Sequence, residues 1–301
     1  MMLQNCVQTP LGIVEVEVVG SGIPVMVLHG SPGGIDGARA MSQFLDRDRS
    51  CCIHLSRPGY LNTPLDPTAP SIDAEADLLA ALLDTLDFAR VGVLAWSGGG
   101  PPAYRLAARH PSRVSAMVIV AAISSSWVAA KMHLSERFVF GTRFGEHLIS
   151  FLATHKPEHI VEEALKGEGT IRGEELRNVT NHVLAHPAQV KLIVDTARTL
   201  NIGGKRKPGW HNDVKNYADI KSLELECVTC PVLLVHGDAD SDALPVYTYY
   251  AHARLPNSEL IMMAGGTHPS FYAHQEAEIV QERAKQWFEH YSQEGRKNAV
   301  K

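Results

Sequence analysis

The sequence lacks a hydrophobic run that could cross a bilayer and lacks an excess of charge of one sign. Its longest apolar stretch covers residues 114–123, about half of what a membrane helix needs. The 28 basic and 33 acidic residues leave a net charge of −5, which favours neither a nucleic acid nor an anionic membrane surface. We therefore expect no nucleic acid and no membrane among its partners.

Cysteine is scarce, with five residues in a chain of 301, and no basic segment followed by an apolar run opens the chain. This combination indicates a reducing, cytoplasmic location. Cys227 and Cys230 form a single C-x-x-C pair, whereas a zinc ribbon needs two such pairs. His182 and His186 have metal-ligand spacing but lack the glutamate of H-E-x-x-H. We expect structural cysteines, surface histidines and no metal.

A nucleotide cofactor also has little support. The pattern Gly98-x-Gly100-x-x-Ala103 follows a predicted strand and matches a loose dinucleotide fingerprint. That fingerprint needs an acidic residue at the end of the next strand, and residues 119–126 contain none. No cofactor is expected.

The most informative feature present is a serine at the end of an apolar run. Residues 91–96 lead directly into Ser97, and three glycines follow. The pattern predicts a sharp turn from strand to helix, with small neighbours such as Ala95 and Gly99 tolerating a positive φ at the serine. The hydroxyl is then exposed at the edge of a sheet, beside the free N–H of Gly98. Such a position suits a nucleophile.

Polar groups also follow three other predicted strands. The strand over 25–28 runs into the loop H-G-S-P-G-G, and the strand over 260–263 ends in a glycine turn and His268. The strand over 232–235 ends in three alternating carboxylates, Asp238, Asp240 and Asp242. Because the carboxyl ends of parallel strands share one edge of a sheet, we expect these groups near Ser97.

These motifs together resemble the α/β-hydrolase fold superfamily over nearly the full chain, in the order serine, aspartate, histidine. The H-G-S-P-G-G loop resembles the oxyanion loop of the branch that contains proline iminopeptidases, epoxide hydrolases and C–C bond hydrolases. Ala95 departs by one methyl group from the first glycine of the common G-x-S-x-G. The resemblance implies Ser97 as nucleophile and His268 as base.

The resemblance assigns the remaining roles as follows. The acid usually lies three residues after the strand-end glycine, which gives Asp240; a proline one residue later than usual leaves Asp242 as the alternative. The backbone N–H groups of Ser31 and Gly98 are expected to form the oxyanion hole, since Pro32 has no N–H. Substrate contacts are expected from Gly30, Pro32 and Trp96. His29 and His236 are expected to be structural.

The order of elements predicts an α/β fold, with a mostly parallel central sheet flanked by helices and a hairpin over 7–19 at one edge. Further strands are predicted over 51–55 and 116–122. The interval 125–225 contains no convincing strand but has helical patterns over 127–152, 157–165, 173–185 and 188–200. The resemblance implies that 125–225 is a helical cap, or lid, inserted after the sixth strand, while 1–124 and 226–301 form the core domain.

The cap is expected to place at least one aromatic residue against Ser97 as an apolar wall. The candidates are Trp127, Phe138, Phe140, Phe144 and Phe151. A closed wall of this kind excludes water and limits substrate size.

The expected function is a serine hydrolase acting on small or medium carboxylic esters. Ser97 excludes the aspartate nucleophile of epoxide hydrolases and haloalkane dehalogenases. The alternatives are an aminopeptidase of the proline iminopeptidase type, a C–C bond hydrolase, a cofactor-free perhydrolase, and a non-catalytic binding protein on the same fold. Proline iminopeptidases commonly carry Trp directly after the serine, whereas Trp96 precedes it here. The expected partner is a small-molecule ester or amide, and both a monomer and a homodimer stay open.

Overall fold

Aliphatic and β-branched runs form an eight-stranded sheet in the computed structural model, which describes residues 3–130 and 132–298. The strands are β1 (Leu3–Thr9), β2 (Gly12–Gly20), β3 (Ile23–Leu28), β4 (Ser50–Leu55), β5 (Val91–Trp96), β6 (Val114–Val120), β7 (Val232–Gly237) and β8 (Ser258–Met263). Their spatial order is β1-β2-β4-β3-β5-β6-β7-β8. The β1–β2 hairpin is antiparallel and β2 pairs antiparallel with β4, while β3 to β8 run parallel. The predicted fold class is confirmed.

Helices cover both faces of this sheet. They are α1 (Ile35–Met41), α2 (Ile72–Thr85), α3 (Gly100–Arg109), α4 (Leu134–Gly141), α5 (Arg143–His155), α6 (Pro157–Gly167), α7 (Gly173–Leu184), α8 (Pro187–Ala197), α9 (Lys207–Ala218), α10 (Val246–His252) and α11 (Ala277–Asn298). One apolar cluster packs α2, α3 and α10 on one face, and a second packs α1 and α11 on the other. Strand β3 contributes side chains to both clusters, because its side chains alternate between the two faces of the sheet.

The described residues between β6 and β7 form α4 to α9 and contain no strand. Gly169 of this interval forms an isolated bridge with Asp240, which follows β7. An apolar cluster of their own includes Val161, Leu165 and Val183. The same cluster contacts the rest of the chain through Ala239 and Ala273. The division into a core and a cap at 125 and 225 stays a prediction.

Two helical details of this interval differ from expectation. The helix predicted over 127–152 is two helices, because Thr142 has extended backbone and its hydroxyl accepts the N–H of Gly145 as the N-cap of α5. Helix α9 was not predicted at all, since it contains a proline, a glycine and many polar residues. Within the described residues, no helix combines the length and the apolar character that crossing a membrane requires.

Candidate active site

Ser97 occupies the strained turn that the sequence indicates. It follows β5 directly and begins a short 3-10 turn, Ser97–Gly99, that leads into α3. Its φ is +53°, a left-handed value that is unfavourable for a residue with a Cβ. A Cβ on Gly99 would overlap the carbonyl oxygen of Leu28. The tight packing against the end of β3 therefore explains why a glycine follows two residues after the serine.

Asp240 and His268 meet at the ends of β7 and β8. Nδ1 of His268 lies 2.7 Å from Oδ2 of Asp240, and both side chains are buried. The other oxygen of Asp240 accepts the backbone N–H groups of Asp242 at 2.8 Å and Ala243 at 3.0 Å. The carboxylate is therefore fixed from both sides and fixes the imidazole in turn.

The other candidates for acid and base take different positions. Asp238 is exposed and accepts the N–H of Gly265 at 2.7 Å. Oδ2 of Asp242 lies 3.5 Å from Nε2 of His268, on the nitrogen opposite to Asp240. His236 is buried, with its ring nitrogens near Thr248 and the carbonyl of Ala243. Asp240 thus makes the Nδ1 contact that a triad acid needs.

A cavity with about 480 Å³ of space between atoms, part of it open to solvent, joins Ser97 to His268. The predicted substrate contacts Gly30, Pro32 and Trp96 also line it, as does Ser31 of the predicted oxyanion hole. The ring of Trp96 stacks on His268 with centroids 5.4 Å apart. No hydrogen bond joins the Ser97 hydroxyl to Nε2 of His268 in this structure, and such contacts often tighten only when substrate binds.

The prediction that an aromatic residue of the cap forms a wall against Ser97 is wrong. None of Trp127, Phe138, Phe140, Phe144 and Phe151 lines the cavity. Its wall on the insertion side is formed by the end of α8 and by the loop after α6, through Thr196, Thr199, Leu200 and Glu168. The side chains of Phe138, Phe144 and Phe151 are exposed instead, so the faces of α4 and α5 that carry them turn to solvent.

The charges around His268 favour its protonated form. Burial alone lowers the pKa of His268, but Asp240, Asp242 and Glu168 outweigh it and raise the pKa above the usual 6.5. Burial alone would raise the pKa of Asp240, but His268 and His236 outweigh it and lower the pKa to about 2. For Glu168, burial raises the pKa of the carboxyl to about 7. These charges therefore stabilise the imidazolium that forms when His268 takes a proton.

The oxyanion loop contacts residues that sequence reasoning missed. Ser31 Oγ donates to Oδ2 of Asp213 on α9, and the hydroxyl of Tyr217 donates to the carbonyl oxygen of Gly98 at 2.5 Å. A Cβ on Gly98 would overlap Ser31 Oγ, so the two residues lie side by side. No sequence signal marked Asp213 or Tyr217, because their helix was not predicted. Across the described residues, no group of three or more His, Cys, Asp or Glu side chains has the arrangement of a metal site.

The fold and this geometry define a class: the chain belongs to the α/β-hydrolase fold family, whose profile matches residues 23–275. It is a hydrolase. An α/β-hydrolase fold protein from Nakamurella multipartita has a solved structure that is 40% identical, with a TM-score of 0.92, covering 96% of this chain and 99% of that one.

Two curated relatives are more distant. The uncharacterized hydrolase YcgS of Bacillus subtilis is 22% identical and covers 85% of this chain and 88% of its own. A pimeloyl-[acyl-carrier protein] methyl ester esterase of Neisseria meningitidis serogroup C is 28% identical and covers 73% of this chain and 77% of its own. These likenesses agree with the resemblance that the motifs indicate.

Proposed function

We propose that the protein is a serine hydrolase of small or medium carboxylic esters, with Ser97, His268 and Asp240 as its catalytic triad. One observation carries the proposal. Ser97, at a φ of +53°, opens on the same cavity as His268, whose Nδ1 is held 2.7 Å from Asp240. A nucleophile, a base and an orienting acid from three different strand ends are the parts that acyl transfer needs.

The chemistry follows from these positions. Nε2 of His268 takes the hydroxyl proton as Ser97 Oγ attacks the ester carbonyl carbon, and Asp240 stabilises the resulting imidazolium. The imidazolium then gives its proton to the alcohol that leaves, and an acyl-enzyme forms on Ser97. Water attacks this ester with His268 again as base, releasing the acid and restoring the serine. Each proton that His268 takes is given to the leaving oxygen of the same half-reaction, so the enzyme ends in its starting state.

The negative oxygen of the tetrahedral intermediate needs donors that are already in place. The backbone N–H groups of Ser31 and Gly98 are the proposed pair, because both residues adjoin Ser97 at the carboxyl edge of the sheet. Removal of one such donor typically costs about 3 kcal/mol of transition-state stabilisation. Gly30, Pro32 and Trp96 complete the proposed substrate contacts.

An ester of limited length suits this cavity best. The part of it that a water-sized sphere can enter is about 50 Å³, which is well below the volume of ordinary ligand sites. The proposed cap, 125–225, closes it through Thr196, Thr199 and Leu200. A relative named as a methyl ester esterase supports an ester with a small alcohol group.

One observation favours a second candidate, an aminopeptidase of the proline iminopeptidase type. The carboxylates of Glu168 and Asp242 line the cavity, and no lysine or arginine is among its lining residues. The negative charge of Asp242, joined by that of Glu168 above its pKa of about 7, attracts a substrate with a free ammonium group.

A single kinetic panel tests both candidates. We expect p-nitrophenyl esters from acetate to palmitate to give a specificity constant that peaks at short or medium chains. Prolyl and alanyl p-nitroanilides should be cleaved more slowly, and Ser97→Ala should abolish all turnover. A maximum at palmitate contradicts the short-chain site, and faster anilide than ester cleavage selects the aminopeptidase. Undiminished turnover by Ser97→Ala contradicts the mechanism.

A further inference from the structure

A buried ionic cluster lies directly behind the proposed oxyanion loop. Arg57, which follows β4, is 0% exposed. Its Nε and Nη2 donate to Glu75 of α2 at 2.7 and 3.3 Å, and its Nη1 and Nη2 donate to Asp213 of α9 at 3.0 and 2.9 Å. Since buried ion pairs rarely stabilise a fold more than apolar packing does, their place beside the active site points to another role.

One face of α9 reaches both residues of the proposed oxyanion hole. Asp213 and Tyr217 are four residues apart and therefore lie on the same side of the helix. Oδ2 of Asp213 accepts the hydroxyl of Ser31, together with that of Tyr60 at 2.6 Å. The hydroxyl of Tyr217 accepts from Nη2 of Arg57 at 2.6 Å and donates to the carbonyl oxygen of Gly98 at 2.5 Å.

We infer that Asp213 is a positioning residue, which holds the oxyanion hole by anchoring Ser31 directly and Gly98 through Arg57 and Tyr217. The inference rests on the proposed function and adds a residue to it. Asp213 touches no reacting atom. It fixes the side chain of Ser31 and supports the hydroxyl that holds the carbonyl of Gly98, so the backbone of both residues, which carries their N–H groups, is held in place. Donors that are oriented before the reaction need no reorganisation during it.

Other contacts hold α9 to the chain without reaching these two residues. Nδ2 of Asn216 donates to the carbonyl oxygen of Pro70 at 2.5 Å. Arg206, just before α9, pairs with Asp36 and donates to the carbonyl oxygen of Gly33 at 2.9 Å. Asn216→Ala therefore loosens the same helix at a different point and is a matched control for Asp213→Asn.

The experiment compares Asp213→Asn, Ser31→Ala and Asn216→Ala in the full-length protein. Each is measured for kcat and KM on p-nitrophenyl acetate, for inhibition by a trifluoromethyl ketone, and for Tm. The ketone adds to the serine and places an oxyanion in the hole. We expect Asp213→Asn and Ser31→Ala to lower kcat and ketone affinity by about tenfold, part of the 10²–10³ that loss of a whole donor costs. KM should change little.

The controls separate positioning from a general structural role. Asn216→Ala should lower Tm while leaving kcat and ketone affinity unchanged. The double variant of Ser31 and Asp213 should lose less than the sum of the two single losses, because both changes break the contact between the Ser31 hydroxyl and Asp213.

Three results overturn the inference: unchanged kcat and ketone affinity in Asp213→Asn, equal losses in Asn216→Ala, or additive losses in the double variant. If Asp213→Asn does not fold, the losses of kcat and ketone affinity in Tyr217→Phe and Ser31→Ala test the inference, because each variant removes one hydroxyl of the network and leaves the Arg57–Asp213 ion pair in place. Undiminished turnover by Ser97→Ala is a separate result that removes the proposed function itself.

Discussion

Two parts of the segment between β6 and β7 meet the rest of the protein in opposite ways. Helix α9 buries Asp213 and Tyr217, which are 2% and 1% exposed, and joins them to the loops around Ser97. Helices α4 and α5 leave three aromatic side chains more than half exposed, at 53%, 63% and 56% for Phe138, Phe144 and Phe151. Of these three helices, it is the polar α9 whose side chains contact the loops around Ser97.

The contrast shows what anchors an inserted segment beside an active site. Apolar residues can pack anywhere that water is excluded, because the hydrophobic effect has no direction. Buried charges need their partners at fixed distances and angles. The bidentate pairing of Arg57 with Asp213 therefore sets the position of α9 more narrowly than aromatic packing could.

The largest expected effect is on stability, and it compares one arginine from each region. Arg57→Leu leaves the carboxylates of Glu75 and Asp213 buried without their cation, which should cost about 3–5 kcal/mol of unfolding free energy. Arg143→Leu, at the exposed start of α5, should stay within about 0.5 kcal/mol. Urea unfolding of both variants measures the difference. Equal losses of unfolding free energy in the two variants would show that ion pairing contributes no more at Arg57 than at Arg143.

The second prediction concerns which side chains limit the acyl group. Leu200 lines the cavity, whereas Phe144 does not. Leu200→Ala should raise the specificity constant for the first ester beyond the wild-type optimum by about tenfold, the usual effect of a few methylene groups in a pocket. Phe144→Ala should leave the chain-length profile unchanged. A shifted profile in Phe144→Ala would show that α5 closes over substrate after all.

The smallest effect concerns pH and the loop between α6 and α7. His268 acts as a base only when neutral, and Glu168 is among the carboxylates that raise its pKa. Glu168→Gln removes that charge and lowers the pKa, so the acid limb of kcat/KM should move to lower pH. The exposed Glu162→Gln on α6 is the control and should not move it. A shift of the acid limb toward higher pH in Glu168→Gln would contradict the prediction that the charge of Glu168 raises the pKa of His268.

Much of the fold was predictable because its signals are local. Continuous apolar runs marked β3 to β8, and strand starts such as that of β6 differed by only two residues from 116. Ser97, Asp240 and His268 could be placed at strand ends for the same reason. Their roles stay a proposal, but the structure brings their side chains to one edge of the sheet.

The rest of the site depends on contacts that are distant in sequence. Asp213 lies 182 residues from Ser31 and 156 from Arg57, and the helix that carries it has weak helical signals. Glu168 sits between two glycines and resembles an ordinary loop residue. The aromatic residues of α4 and α5 suggested a wall because composition shows which side chains are apolar but not which way a helix face turns.

The central claim is that Ser97 is the nucleophile, and covalent labelling tests it most directly. A fluorophosphonate should add one group per chain, and peptide mass mapping should place it on Ser97. Ser31 is the informative control, because its hydroxyl lines the same cavity but donates to Asp213. Ser97→Ala should take up no label, and Ser31→Ala should still be labelled at Ser97. A label on Ser31, or none on protein that hydrolyses esters, would contradict the account.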